Sequence, residues 1–142
     1  MKRYILIFLC VIGALAGYRL LTAEGPELAG TEDAAGDAIV AVTVPDALSS
    51  NAQIGLSAFS AKCAACHGEN AGGKEGLAPP LVHEIYEPSH HGDESFQRAA
   101  AVGVRQHHWP FGNMPPVDGI TRGEVAMIIA YVRELQRANG IN

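Results

Sequence analysis

Cys63-Ala64-Ala65-Cys66-His67 is the stretch on which the reading of this chain turns. It supplies two thiols about one helical turn apart and an imidazole directly after the second. Thiols at that offset can add across the two vinyl groups of one haem, and the next side chain then reaches the iron. Two other chemistries use paired cysteines. A redox disulfide of the thioredoxin kind needs a preceding strand in a βαβ context, which the surrounding sequence lacks. A zinc site needs a second Cys-x-x-Cys or a His-x-His partner downstream, and none follows. The remaining cysteine, Cys10, lies in an N-terminal apolar run, so the chain holds no disulfide framework.

On either side of the motif the pattern is helical. Ser49, Ser50 and Asn51 are helix-starting residues ahead of Ile54, Ala58, Phe59 and Lys62, and they predict a short helix running into the motif. Residues 68–80, rich in glycine and ending Ala78-Pro79-Pro80, predict a loop. Asp93 or Ser95 is the expected cap of a second helix through Phe96, Ala99, Ala100 and Val102, stopped by Gly103. Residues 105–119 read as a long structured loop carrying His107, His108, Trp109 and Met114. Thr121-Arg122-Gly123-Glu124 is a capping box. It opens an amphipathic helix with Val125, Ile128, Ile129, Val132 and Leu135 on one face, closed by Asn139-Gly140. No alternating pattern is long enough to build a sheet, so the expected class is all-α.

Charge and hydropathy divide the 142 residues into three. Met1-Lys2-Arg3 precedes an apolar stretch from Tyr4 to Gly17. Residues 1–23 read either as a signal peptide with Ala14-Leu15-Ala16 at the cleavage site, or as a membrane-spanning anchor extending past Arg19 to Ala23. The length favours the anchor, and both readings export the rest of the chain. Residues 24–51 hold six acids and no base and read as an acidic Ala/Gly-rich tether. Within it, Ile39 to Val44 is a short β-prone run ended by Pro45. Residues 52–142 form the domain. With Lys2, Arg3 and Arg19 set aside, residues 24–142 carry 7 bases against 15 acids, a net charge of −8, which argues against nucleic acid as a partner.

Over residues 52–142 the sequence resembles the class I, monohaem c-type cytochromes. Gly55 and Phe59, four apart, and Ile128 and Tyr131, three apart, match positions where the family's terminal helices cross, the glycine admitting close backbone approach. Cys63, Cys66 and His67 match the haem attachment site. Pro79 matches a proline whose carbonyl accepts a hydrogen bond from the proximal histidine, and Met114, followed by Pro115 and Pro116, matches the distal methionine. The resemblance implies three to five helices around one covalently bound haem c, with iron ligated by His67 and Met114. Met114 has independent support. A thioether is a weak donor, and Pro110, Pro115 and Pro116 stiffen the loop that would present it. Met127, amid Ile128 and Ile129, reads as core, while His107 and His108 are the stronger-donor rivals.

A histidine or Trp109 bonded to a haem propionate is the role this stretch suggests; Tyr86 and Phe111 read as core or haem-edge packing. His83, His90, His91, His107 and His108 receive no assigned role. A second metal is not expected of them, since a site needs converging ligands rather than abundance. The expected activity is one-electron transfer, not enzymatic turnover, with redox proteins as partners and the periplasmic side of the membrane, anchored or soluble, as the location. Two rivals share the fold: a five-coordinate haem enzyme or sensor in which Met114 is structural, and a haem-bearing subunit of a larger membrane oxidoreductase.

Overall fold

The Ser49 hydroxyl accepts a hydrogen bond from the Ala52 amide and closes the first turn of helix α1 (Ser50–Lys62) in the computed structural model, which describes residues 36–142. The reading of residues 1–23 as signal or anchor lies outside the described residues. Among the described residues no helix is long and apolar enough to cross a membrane. Ala52, Gly55 and Phe59 recur at helical spacing along α1 and are buried. Cys63 breaks the helix with φ −124° and ψ −34°, and a single further turn, α2 (Ala64–His67), ends at Gly68 with φ 77°. A short 3-10 turn (Glu84–Tyr86), α3 (Asp93–Val102) and α4 (Arg122–Ala138) complete the helices. Among the described residues the only strand-like pairings are the isolated bridges Lys74–Ala78 and Val104–Met114.

Helix α4 carries the core. Thr121 and Glu124 form the expected capping box, the Thr121 hydroxyl accepting from the Glu124 amide and the Glu124 carboxylate accepting from the Thr121 amide. Ile128, Tyr131, Val132 and Leu135 pack with Ala52, Phe59, Ala71 and Val82. The Phe59 and Tyr131 rings meet at 5.6 Å between centroids. Where α1 crosses α4, a Cβ on Gly55 would collide with the Met127 carbonyl and stand 3.0 Å from the Tyr131 Cβ. Met127 itself is half-buried at this crossing, in keeping with a packing role.

Two expectations are corrected. Helix α3 is capped by Gly92, without a side-chain bond, rather than by Asp93 or Ser95. Asp93 instead lies in the first turn with Glu94, where the helix dipole favours acids, and its carboxylate takes the Arg133 Nε–H at 3.0 Å. The packing against the domain also includes residues before 52. Residues 37–43, part of the predicted tether, lie against the loop after α2 and the end of α4. The Val40 amide donates to the Gly72 carbonyl, the Glu75 amide to the Asp37 carbonyl, and the Thr43 amide to the Asn139 Oδ1. Asn139 Nδ2 donates back to the Thr43 carbonyl at 2.8 Å. A Cβ on Gly72 would fall 2.6 Å from the Val40 oxygen, so glycine there lets the segment dock. The β-prone run is therefore extended and attached, forming no strand.

The crossing sets a specific expectation. Gly55→Ala destabilises the haem-loaded protein by about 1–3 kcal/mol, because the obstructing atoms are backbone and cannot rotate away. Gly123→Ala, on the solvent side of α4 with only the Thr121 hydroxyl at 3.8 Å, is neutral or stabilises by less than about 1 kcal/mol. Thermal melts of both variants test the contrast; equal melting temperatures would remove the crossing as the constraint.

Candidate functional site

The helical break at Cys63 arranges the motif. The Cys63 carbonyl accepts both the Cys66 and the His67 amides, at 3.1 and 2.9 Å, which turns the two thiols and the imidazole toward one cleft of about 870 Å³. Cys63 and Cys66 form no disulfide. Burial, with Cys66 adding to it, pushes the Cys63 thiol up to about 11 from its usual 9.0, so it is protonated at neutral pH. That is opposite to the activated thiolate of a redox disulfide centre. His67 is half-buried, and desolvation holds its imidazole below the usual value despite the opposing bond to Pro79. Its Nδ1 lies 2.8 Å from the Pro79 carbonyl, which can only accept, so the proton is on Nδ1 and Nε2 keeps its lone pair.

The loop that presents Pro79 is held by tight backbone contacts. The Gly73 amide donates to the His67 carbonyl at 2.8 Å. Gly73 adopts φ 75°, and a Cβ there would stand 2.5 Å from the Pro80 nitrogen, a position only glycine fills without strain. Met114 is fixed in a similar way from the other part of the chain. Its amide and carbonyl pair with those of Val104, at 3.0 and 2.9 Å, closing the loop between them at its base. Gly103, with φ 78°, lies against this bridge, where a Cβ would be 2.5 Å from the Met114 oxygen. Gln106 and Asn113 lace the loop further: the Gln106 amide donates to Asn113 Oδ1, and the Gly112 amide to Gln106 Oε1. Met114 lines the same cleft as Cys63, Cys66, His67 and Pro79.

The remaining wall fits a large planar ligand with polar groups at its edge. The lining is mainly apolar, with Leu81, Phe96, Val104 and Ile128 among its residues. Trp109 also lines it, half-buried and stacked on Phe111 at 5.8 Å. The Trp109 indole nitrogen is shut from solvent and makes no hydrogen bond of good geometry. Burial pushes the Tyr86 phenol up, and the nearby Trp109 indole N–H opposes that push. An unpaired N–H in an apolar cleft calls for an acceptor from a ligand, and a haem propionate has that chemistry. Two thiols, a neutral imidazole and a thioether around an apolar cleft form a donor set suited to covalent haem.

Residues 52–136 match the family model described as Cytochrome c. No curated protein and no solved structure matches the chain. The chain belongs to the cytochrome c family, whose domains bind haem c with its iron covalently and typically transfer electrons.

Two contributors were missed at the sequence level. Arg133 and Gln136 sit three apart on the apolar face of α4, and both are buried. Arg133 donates to the Tyr86 and His91 carbonyls at 2.7 and 2.6 Å and to Gln136 Oε1 at 2.7 Å, while Gln136 Nε2 donates to the Leu81 and Tyr86 carbonyls. Together they pin the cleft's loop to the helix. The detectable signal was a polar pair inside an apolar stripe. The five spare histidines also divide. His83 Nδ1 accepts the Ile85 amide and caps the 3-10 turn, whereas His90, His91, His107 and His108 gather on one part of the cleft wall.

Replacing both Cys63 and Cys66 by alanine is expected to leave a largely unfolded chain, since haem filling a cleft of this size would supply a large share of the buried apolar surface. A cooperative far-UV melt of that haem-free variant at near-native temperature would refute it. Arg133→Met leaves the His91 carbonyl without its partner and lowers stability by about 1–3 kcal/mol, read as a fall in denaturation midpoint of the haem-loaded protein.

Proposed function

We propose that this chain is a one-electron carrier in a membrane-associated transport chain, with haem iron held by His67 and Met114. The observation that carries this reading is that both side chains line one cleft and each is fixed by its own backbone device. For His67 that device is the bond to the Pro79 carbonyl at 2.8 Å; for Met114 it is the bridge to Val104. Bound haem c supplies an iron that alternates between ferrous and ferric states, one electron at a time. Cys63 and Cys66 hold it by thioether bonds, and the orphaned Trp109 N–H is placed to meet a propionate. His67, its Nδ1 proton held by the Pro79 carbonyl, would offer the Nε2 lone pair to the iron. Met114, as a thioether ligand, favours the ferrous state and raises the potential, as does the apolar cleft. Ligation by both His67 and Met114 would leave the iron no open position for a substrate, which favours a carrier over an enzyme or sensor.

The location is proposed from sequence. The basic N-terminus and apolar run of residues 1–23 support a domain on the periplasmic side of the membrane, anchored or released. Its partners would be redox proteins, either membrane oxidoreductases or other periplasmic carriers. With seven bases against nine acids over 52–142, docking on a modest and partly apolar face suits the chain better than a strongly basic ring.

Met114→Ala tests the ligand. The expected result is a lower reduction potential, loss of the near-infrared thioether band of the ferric protein, and rapid binding of carbon monoxide by the ferrous protein. Unchanged potential and continued resistance to carbon monoxide would remove Met114 from the iron and turn attention to His107 or His108, which line the same cleft.

A further inference from the structure

Besides the thiol, imidazole and thioether set, the densest group of chemically capable side chains is the histidine cluster, which lines another part of the same cleft. His90 and His91 sit on the turn after the 3-10 helix, and their amides both donate to the Glu87 carbonyl, at 3.1 and 2.8 Å. His107 and His108 sit on the loop closed by the Val104–Met114 bridge. Ring centroids are 4.7 Å apart for His90–His91, 5.2 Å for His91–His108 and 5.6 Å for His90–His108. One ligand nitrogen from each of His90, His91 and His108 lies within 4.8 Å of the others. His107 stands beside them, its ring 4.2 Å from that of His108 and 6.1 Å from that of His91.

The cluster is supported from behind. His91 Nδ1 is 2.6 Å from the Ile85 carbonyl, which fixes its proton on Nδ1 and leaves Nε2 with a free lone pair. The backbone of the same residue is held by Arg133, whose Nη2 donates to the His91 carbonyl at 2.6 Å. Arg133 is buried on α4, so this ligand is tied to the core helix. His90 and His108 are exposed and free to rotate toward it. In a tetrahedral site with metal–nitrogen distances of about 2.0–2.1 Å, ligand nitrogens stand roughly 3.4 Å apart, a closure that rotation of two exposed side chains supplies.

We propose that His90, His91 and His108 form a binding site for one late first-row divalent metal ion, distinct from the haem iron, with solvent or His107 completing the shell. An all-imidazole set selects this class. Calcium and magnesium require oxygen ligands, and none of the three residues offers a side-chain oxygen. Among ions that accept imidazole, Cu2+ binds most tightly, and Zn2+ serves as a redox-inert probe. The site joins two loops that sequence separates by the whole of α3, so a bound ion cross-links the 3-10 turn to the loop before Met114.

Titration calorimetry of the tag-free, haem-loaded full chain with Zn2+ alone and with Cu2+ alone tests the site. The expected stoichiometry is one ion per chain, tighter for Cu2+, with a Cu2+ paramagnetic resonance spectrum split by more than one imidazole nitrogen. His90→Ala combined with His108→Ala is expected to weaken binding by about tenfold or more. His83→Ala, which lies outside the cluster, keeps the affinity of the parent chain. Far-UV circular dichroism matching that of the parent chain in both variants establishes that the domain is folded. No saturable binding in the parent chain, or equal affinity in the double variant and the His83 variant, overturns the proposal.

Discussion

The close crossing of α1 and α4 is the constraint on which the other features rest. A glycine at position 55 lets the backbone of one helix lie against the Met127 carbonyl of the other, and the Phe59–Tyr131 contact fills the space beside it. Because α1 ends at Lys62, that crossing fixes the position of Cys63 and of the single turn that follows. Because α4 also carries Arg133 and Gln136, it fixes the loop that forms another part of the cleft. Any separation of the two helices would therefore displace the thiols and the cleft wall together.

The cleft is built by backbone devices more than by side-chain contacts. Gly73 and Gly103 both adopt positive φ, and both lie against proline-containing segments whose atoms leave no room for a Cβ. Their effect is to hold Pro79 and Met114 at fixed positions in the folded chain. The cost of ordering two loops is thus met during folding rather than at the reacting centre, which suits a site whose geometry must change little between oxidation states. Side chains then tune what the backbone has positioned. Desolvation keeps His67 neutral and the Cys63 thiol protonated, and an unpaired indole N–H waits in an apolar surrounding.

The segment before α1 shows how composition can mislead. Residues 24–51 contain six acids and no base, the composition of a solvated linker. Yet Asp37, Val40 and Thr43 make backbone hydrogen bonds to the loop after α2 and to Asn139. An extended chain can be held by main-chain groups whatever its side chains are, and composition does not report on such bonding.

By itself the sequence determined whatever depends on neighbours along the chain. The capping box at Thr121 and Glu124, the glycine stops at Gly103 and Gly140, the apolar stripe of α4 and the spacing of Cys63, Cys66 and His67 are local signals, and local geometry obeys them. The helix crossing was expected too, though only through the resemblance of Gly55, Phe59, Ile128 and Tyr131 to the positions where the family's terminal helices meet. Tertiary structure decided what depends on distant partners. Asp93 left its expected capping role because Arg133, 40 positions away, takes its carboxylate. Arg133 and Gln136 are buried because carbonyls of a remote loop are there to accept their hydrogens. Adjacent histidines along a chain point in no predictable direction, so only folding the loop of residue 108 over the turn of residue 90 could bring three of them within 4.8 Å.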